Sequence, residues 1–217
     1  MTDTPYTVRT KICGITRPED AETAAALGAD AIGLVFFSGS KRCVGTAQAQ
    51  AVIRVLPPFV DTVALFVDEQ ADTVRQVLEQ VPVSLLQFHG SESAAYCRLF
   101  GRPYLKAVRV RDTQDIAEAA RAYPDARALL FDAHIEGEYG GTGQTFDWNI
   151  LPETVGRHWI LSGGLNPENI TRALAATGAR SVDVSSGVES APGIKCPQKT
   201  ARFLRAVRSF TPNGQAA

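Results

Sequence analysis

Cysteine is sparse and badly placed for metal or disulfide chemistry. The four residues Cys13, Cys43, Cys97 and Cys196 are scattered along 217 positions without a CxxC pair, so neither a zinc site nor a disulfide framework is expected. Long apolar runs are missing as well. Nowhere do about 18 apolar residues follow one another, the length an ordinary membrane-crossing helix needs. Net charge is almost nil, with 22 basic against 23 acidic side chains and a formal charge of -1. Such a balance gives no electrostatic reason to expect nucleic acid or a membrane surface as a partner. The opening segment MTDTPYTVRTKICG has no apolar h-region, so no signal peptide is read and a cytoplasmic location is expected.

What remains is an ordinary globular composition, 45% hydrophobic, in a length that suits one large domain. A single domain over residues 1–217 is expected, with a frayed tail at 211–217. Along it, short β-branched runs alternate with helical stretches. Strand candidates are Val8–Ile12, Ala31–Phe36, Thr62–Val67, Val83–Phe88, Tyr104–Val108, Ala128–Phe131, His158–Leu161 and Ser181–Val184. Helices are expected over Pro18–Leu27, Thr46–Val55, Ala71–Gln80, Glu92–Phe100, Thr113–Ala122, Pro167–Ala176 and Gln198–Ser209, with a weak one near Trp148–Pro152. The strands VALF, LLQF and ALLF are almost continuously apolar, as strands buried on both faces are. Eight such units in just over 200 residues predict a single (β/α)8 TIM barrel. A doubly wound open sheet, which needs about six strands, is the alternative.

In a barrel of this kind the active site lies at the C-terminal ends of the strands. Polar, titratable or glycine-rich residues stand at nearly all of them: Cys13 to Thr16, Phe37 to Arg42, Asp68, His89-Gly90, Arg109, Asp132, Ser162-Gly163-Gly164 and Ser185-Ser186-Gly187. Two of these segments, LSGGLNPENI and VDVSSGVE, place glycines after strands 7 and 8. Backbone amides exposed by glycine and by a helix start favour an anion, and phosphate is commonly held at these two loops. Cys13 and Asp132 would both reach the mouth as base and acid, yet a free Cys is often a buried hydrophobe and a strand-end Asp often a loop cap. Both readings stand open. A thiol base needs a nearby positive charge, and Lys11 shares the face of Cys13 if strand 1 is regular. Arg42 offers a planar fork suited to a carboxylate, against the alternative of a solvated surface side chain. For His89 a structural role in the barrel competes with a catalytic one. Finally, AHIEGEYGGTGQTF is long for a compact domain and reads as a partial lid.

Taken in order, KICGIT, GADAIGLVFFSGSKR, LFVDE, LLQFHGSE, KAVRV, LFDA, GGTGQTFDW, LSGGLNPENI and VDVSSGVE…PGIK resemble the phosphoribosylanthranilate isomerase family of tryptophan biosynthesis. They run from Lys11 to Lys195. The resemblance implies an Amadori rearrangement of N-(5′-phosphoribosyl)anthranilate to a 1-deoxyribulose product, without cofactor or metal. By that likeness Asp132 is the general acid that opens the ribose ring and Cys13 the general base at C2. Arg42 binds the anthranilate carboxylate. Amides of Gly164, Ser185, Ser186 and Gly187 hold the phosphate, while His89 and Asp183 line the pocket. The expected partner is a small phosphorylated substrate, with a freestanding monomer expected in preference to a homodimer.

The chain departs from the family pattern at Lys41 and Cys43 beside the clamp, at Gln144 after the GGTG block, and at Cys196 after PGIK. None carries an assigned role. The histidine-pathway sugar isomerase, similar in mechanism, uses two aspartates where Cys13 and Asp132 stand here. Indoleglycerol-phosphate synthase needs a Lys and Glu constellation not found here. A catalytically silent phosphate-binding barrel would have no need of Cys13, Asp132 and Arg42 together.

Overall fold

Strands that are apolar on both faces, separated by amphipathic helices, are buried fully when the sheet closes on itself and the helices cover its outside. The computed structural model, which describes residues 7–133, 148, 151 and 158–212, shows this closure. Its strands are β1 (Arg9–Ile12), β2 (Ala31–Val35), β3 (Asp61–Phe66), β4 (Leu85–Phe88), β5 (Tyr104–Val110), β6 (Ala128–Ala133), β7 (Trp159–Leu161) and β8 (Ser181–Val184). They form a closed barrel in chain order. β8 returns parallel to β1 with Lys11 opposite Asp183 and Ile12 opposite Val184. Between and after them lie α1 (Pro18–Ala26), α2 (Thr46–Arg54), α3 (Ala71–Gln80), α4 (Ala94–Arg98), α5 (Thr113–Ala122), α6 (Ile170–Thr177) and α7 (Pro197–Arg208).

Because side chains alternate along a strand, each strand feeds two different cores. Ile12, Ile32, Leu34, Phe66, Phe88, Leu129, Phe131 and Val184 pack outward with the helix residues Ala21, Ala24, Val52, Val74, Ile116, Leu174 and Phe203. The intervening positions form small separate clusters. Val63, Leu105 and Ala128 make one, and Cys13, Val35, Leu65 and Val67 make another. Cys13 therefore belongs to the mouth cluster and not to the helix-facing core.

Several boundaries differ from the sequence expectation, for local reasons. β4 begins at Leu85 because the amide of Val83 turns back to the carbonyl of Val81, and Ser84 exchanges hydrogen bonds with Thr62. α4 is short because Glu92, expected inside it, instead accepts from the amides of Asp68 and Gly90. α6 starts at Ile170 because the Asn166 side-chain carbonyl accepts from the amides of Glu168 and Asn169, a turn that delays the helix. β5 continues two residues past Val108, so Arg109 sits inside the strand.

After β8 the sequence predicted only a loop. The chain makes one 3-10 turn, Ser186–Val188, and then an antiparallel hairpin of β9 (Glu189–Ala191) and β10 (Ile194–Lys195). The proposed lid, most of the weak helix near Trp148–Pro152 and most of the tail lie outside the described residues.

Candidate active site

One pocket opens at the C-terminal end of the barrel. Lining it are Cys13 after β1; Val35, Phe37, Ser40 and Arg42 from β2 and its loop; Leu65 and Val67; Gln87 and His89; Asp132; Ser162 to Leu165; and Asp183 to Ser186. The expected residues Cys13, Arg42, His89, Asp132, Gly164, Asp183, Ser185 and Ser186 are thus brought together. Gly187 stands behind the wall, against the carbonyl of Leu165. Asp68 and Arg109, also picked out at strand ends, are exposed and do not line the pocket.

On one side the carboxylate of Asp132, buried on β6, lies 3.1 Å from Nε2 of His89. The other ring nitrogen of His89, Nδ1, lies 2.9 Å from Nε2 of Gln87. With both nitrogens engaged, the imidazole plane is fixed, and with it the Asp132 carboxylate. Gln87 is fully buried and had no place in the sequence reading. Its position one pleat below His89, in LLQFHG, is the signal that points to it: residues two apart on a strand share a face.

Three strands further round the barrel, Cys13 is 6% exposed. Burial pushes its thiol above the usual value, the Lys11 ammonium pulls it down, and the Asp183 carboxylate pushes it up again. Lys11 does share the Cys13 face as expected, but it donates to Asp183 at 3.0 Å, and both are buried. Burial disfavours the Lys11 charge, yet Asp183 and Cys13 outweigh it and hold the ammonium above its ordinary range. The help foreseen from Lys11 is present, but burial outweighs it and Asp183 opposes it.

Arg42 is not a solvated surface residue. Its Nε and Nη2 donate to the two oxygens of Glu189 at 2.8 and 2.7 Å. Glu189 also accepts from Lys195 Nζ at 2.8 Å. Burial opposes the charge on Glu189, but the Arg42 and Lys195 partners keep its carboxyl below the ordinary range. Burial in turn lowers Lys195. Glu189 and Lys195 were both read only as parts of larger blocks. The Pro192-Gly193 pair between them, a turn signal flanked by opposite charges, is what marks the hairpin.

In the loop after β7, Gly163 and Gly164 take φ of 87° and 64°, a region that side chains disfavour. The Gly164 carbonyl is tied back by Asn169 Nδ2 at 2.9 Å. The loop is thereby anchored to the start of α6, beside Ser185 and Ser186 from β8. Among the described residues, no three His, Cys, Asp or Glu side chains gather as a metal-binding group, and no helix is long and apolar enough to cross a membrane.

Comparison with known proteins places this geometry in a family. The family model for N-(5′-phosphoribosyl)anthranilate (PRA) isomerase matches residues 10–206. The N-(5′-phosphoribosyl)anthranilate isomerase of Neisseria meningitidis serogroup B is 57% identical over 197 residues, covering 91% of this chain and 95% of the relative. The crystal structure of the phosphoribosyl anthranilate isomerase from Thermotoga maritima superposes with a TM-score of 0.86 at 38% identity, covering 93% of this chain and 98% of the other. A phosphoribosyl anthranilate isomerase solved in complex with reduced 1-(o-carboxyphenylamino)-1-deoxyribulose 5-phosphate gives 0.82 at 36% identity, with the same coverage. This chain belongs to the N-(5′-phosphoribosyl)anthranilate isomerase family.

Proposed function

We propose that this chain rearranges N-(5′-phosphoribosyl)anthranilate to 1-(2-carboxyphenylamino)-1-deoxyribulose 5-phosphate, with Asp132 as general acid and Cys13 as general base. The observation that carries the reading is the pocket itself, in which a buried thiol, an imidazole-held carboxylate, a guanidinium and two Gly/Ser loops face one space.

The reaction asks for two proton movements on different parts of one sugar. A protonated Asp132 gives its proton to the ribose ring oxygen as the C1–O bond breaks, and the anilinic nitrogen supplies the electron pair that makes C1=N. The Cys13 thiolate then takes the proton from C2. The C2–H pair becomes the C1=C2 bond, the former C=N pair returns to nitrogen, and the resulting enol relaxes to the ketone. Acid and base end as carboxylate and thiol, and both are reset by exchange with water. The rearrangement transfers no net electrons, so no redox group is called for. His89 steadies the acid, and Asp183 with Lys11 borders the base. Arg42 is assigned the anthranilate carboxylate; the amides of Gly164, Ser185, Ser186 and Gly187 are assigned the phosphate, as the anchored β7 and β8 loops support. All these groups come from one chain, which supports action as a monomer, and the cytoplasm is the proposed location.

Two results are expected from this assignment. Because burial raises the Cys13 thiol, the thiolate is scarce at neutral pH. Inactivation by a small alkylating agent at Cys13, which reads the thiolate alone, should therefore quicken with pH and still be climbing at about pH 8.5, where an unperturbed thiol is half ionised. A plateau already reached below pH 7 would show the thiol ionised at neutral pH and contradict this account of the base. Arg42→Ala should raise KM by about 10–150-fold, the worth of a charge-assisted hydrogen bond present in ground and transition state alike, with a smaller effect on kcat. Steady-state kinetics at one pH check this; an unchanged KM would remove Arg42 from the substrate.

A further inference from the structure

Arg42 is assigned a substrate carboxylate, yet it already holds one, that of Glu189. The two facts are reconciled by the shape of the guanidinium, which carries five N–H donors on more than one edge of a rigid plane. Glu189 occupies the Nε–Nη2 edge in a bidentate pair. Among the described residues no hydrogen bond is made by Nη1, so the Nη1–Nη2 edge has donors to offer. We propose that Glu189 is the positioning residue for Arg42, holding one edge of the guanidinium so that the other meets the substrate carboxylate in a fixed orientation. The proposal rests on the reading of Arg42 as the carboxylate clamp and deepens it.

The surroundings fit a holder better than a passive neighbour. Glu189 is 7% exposed, and its Oε1 also accepts from Lys195 Nζ and, at 3.3 Å, from the amide of Gly193. Two cations therefore share one anion, and the cluster stays net positive at the pocket rim, as attraction of a carboxylate requires. The aliphatic stem of Arg42 is seated too. It runs over Gly14, where a Cβ would stand 2.5 Å from Arg42 Cδ and where φ is 72°. The hairpin carrying Glu189 is fastened from the far side, since Thr16 donates to the Gly193 carbonyl and the Lys195 amide donates to Asp20 at 3.1 Å.

Lys195 completes the arrangement by donating to the carbonyl of Ser185 at 3.2 Å. Ser185 belongs to the loop assigned to phosphate. Lys195 thus touches both the anchor of Arg42 and the loop assigned to phosphate. A long arginine side chain left free would lose its rotamer freedom on binding, and prior anchoring removes that cost.

The opposite role, Glu189 as a competitor that the substrate must displace, predicts an effect of opposite sign. Glu189→Gln should raise KM about ten-fold, with kcat moving less, and Glu189→Asp should recover part of the loss. In an Arg42→Ala background the same change should add no more than about two-fold, because its effect runs through Arg42. Inhibition by inorganic phosphate should also stay within about two-fold of wild type. A KM that falls or does not move, a full additional loss without Arg42, or an equal loss of phosphate affinity would each overturn the proposal.

Should Glu189→Gln not fold, the wild-type enzyme can be followed by nitrogen-15 NMR of the Arg42 Nε–H. That signal should remain slow to exchange when the reduced product is bound. Its disappearance on binding would show Glu189 displaced and would also overturn the proposal. Absence of turnover in the wild-type chain, by contrast, would count against the isomerase reading itself.

Discussion

Cys13→Ser should lower kcat by about 10²–10⁴-fold, the usual contribution of a positioned acid–base group, with little change in the affinity for the reduced product. A serine hydroxyl has nearly the size of the thiol but ionises far less readily, so it fills the mouth cluster beside Val35, Leu65 and Val67 without serving as a base. The expected loss lies in proton abstraction and not in packing, so thermal unfolding should stay close to that of the wild type. Turnover close to wild type would remove Cys13 from the reaction. A loss of both turnover and product affinity would mean that the substitution had collapsed the pocket.

Asp132→Asn should be comparably severe, again about 10²–10⁴-fold, but distributed differently between the kinetic constants. The acid acts only as the ring oxygen takes up its proton, so kcat and kcat/KM should fall together while KM stays nearly constant. Asparagine can keep a hydrogen bond to Nε2 of His89, now 3.1 Å from the carboxylate, so the imidazole should hold its place. The contrast with Arg42→Ala is the useful part. If Arg42→Ala mainly lowered kcat and Asp132→Asn mainly raised KM, the two roles would have been assigned to the wrong residues.

How much of this was legible beforehand depends on the range of the interaction involved. Strand and helix order could be read because it rests on local pattern: VALF and ALLF are apolar throughout, and two helices, Ala71–Gln80 and Thr113–Ala122, fall where expected. The location of the site followed from closure, since a barrel collects its strand ends at one mouth. The partners of the named residues were not legible. Nothing near Arg42 in the chain announces Glu189, 147 residues away, and the pairing exists only because β8 returns to β1. The same closure puts Asp183 against Lys11, 172 residues apart, so that a carboxylate opposes the cation expected to help the thiol. The short α4 and the late start of α6 were missed for a different reason. There the side chains of Glu92 and Asn166 compete for backbone amides that a helix would otherwise use. The β9–β10 hairpin was hidden by its shortness, three residues against two.

The most direct test follows the fate of the C2 hydrogen. Phosphoribosylanthranilate carrying deuterium at ribose C2 is supplied to the purified protein, while its fluorescence, free anthranilate and the label are monitored. The fluorescence should be lost faster than in buffer without release of anthranilate, the C2 deuterium should pass to water, and Cys13→Ser should slow both changes by about 10²–10⁴-fold. Consumption of the substrate with the label still on carbon, or with anthranilate set free, would show that the pocket does something other than isomerise.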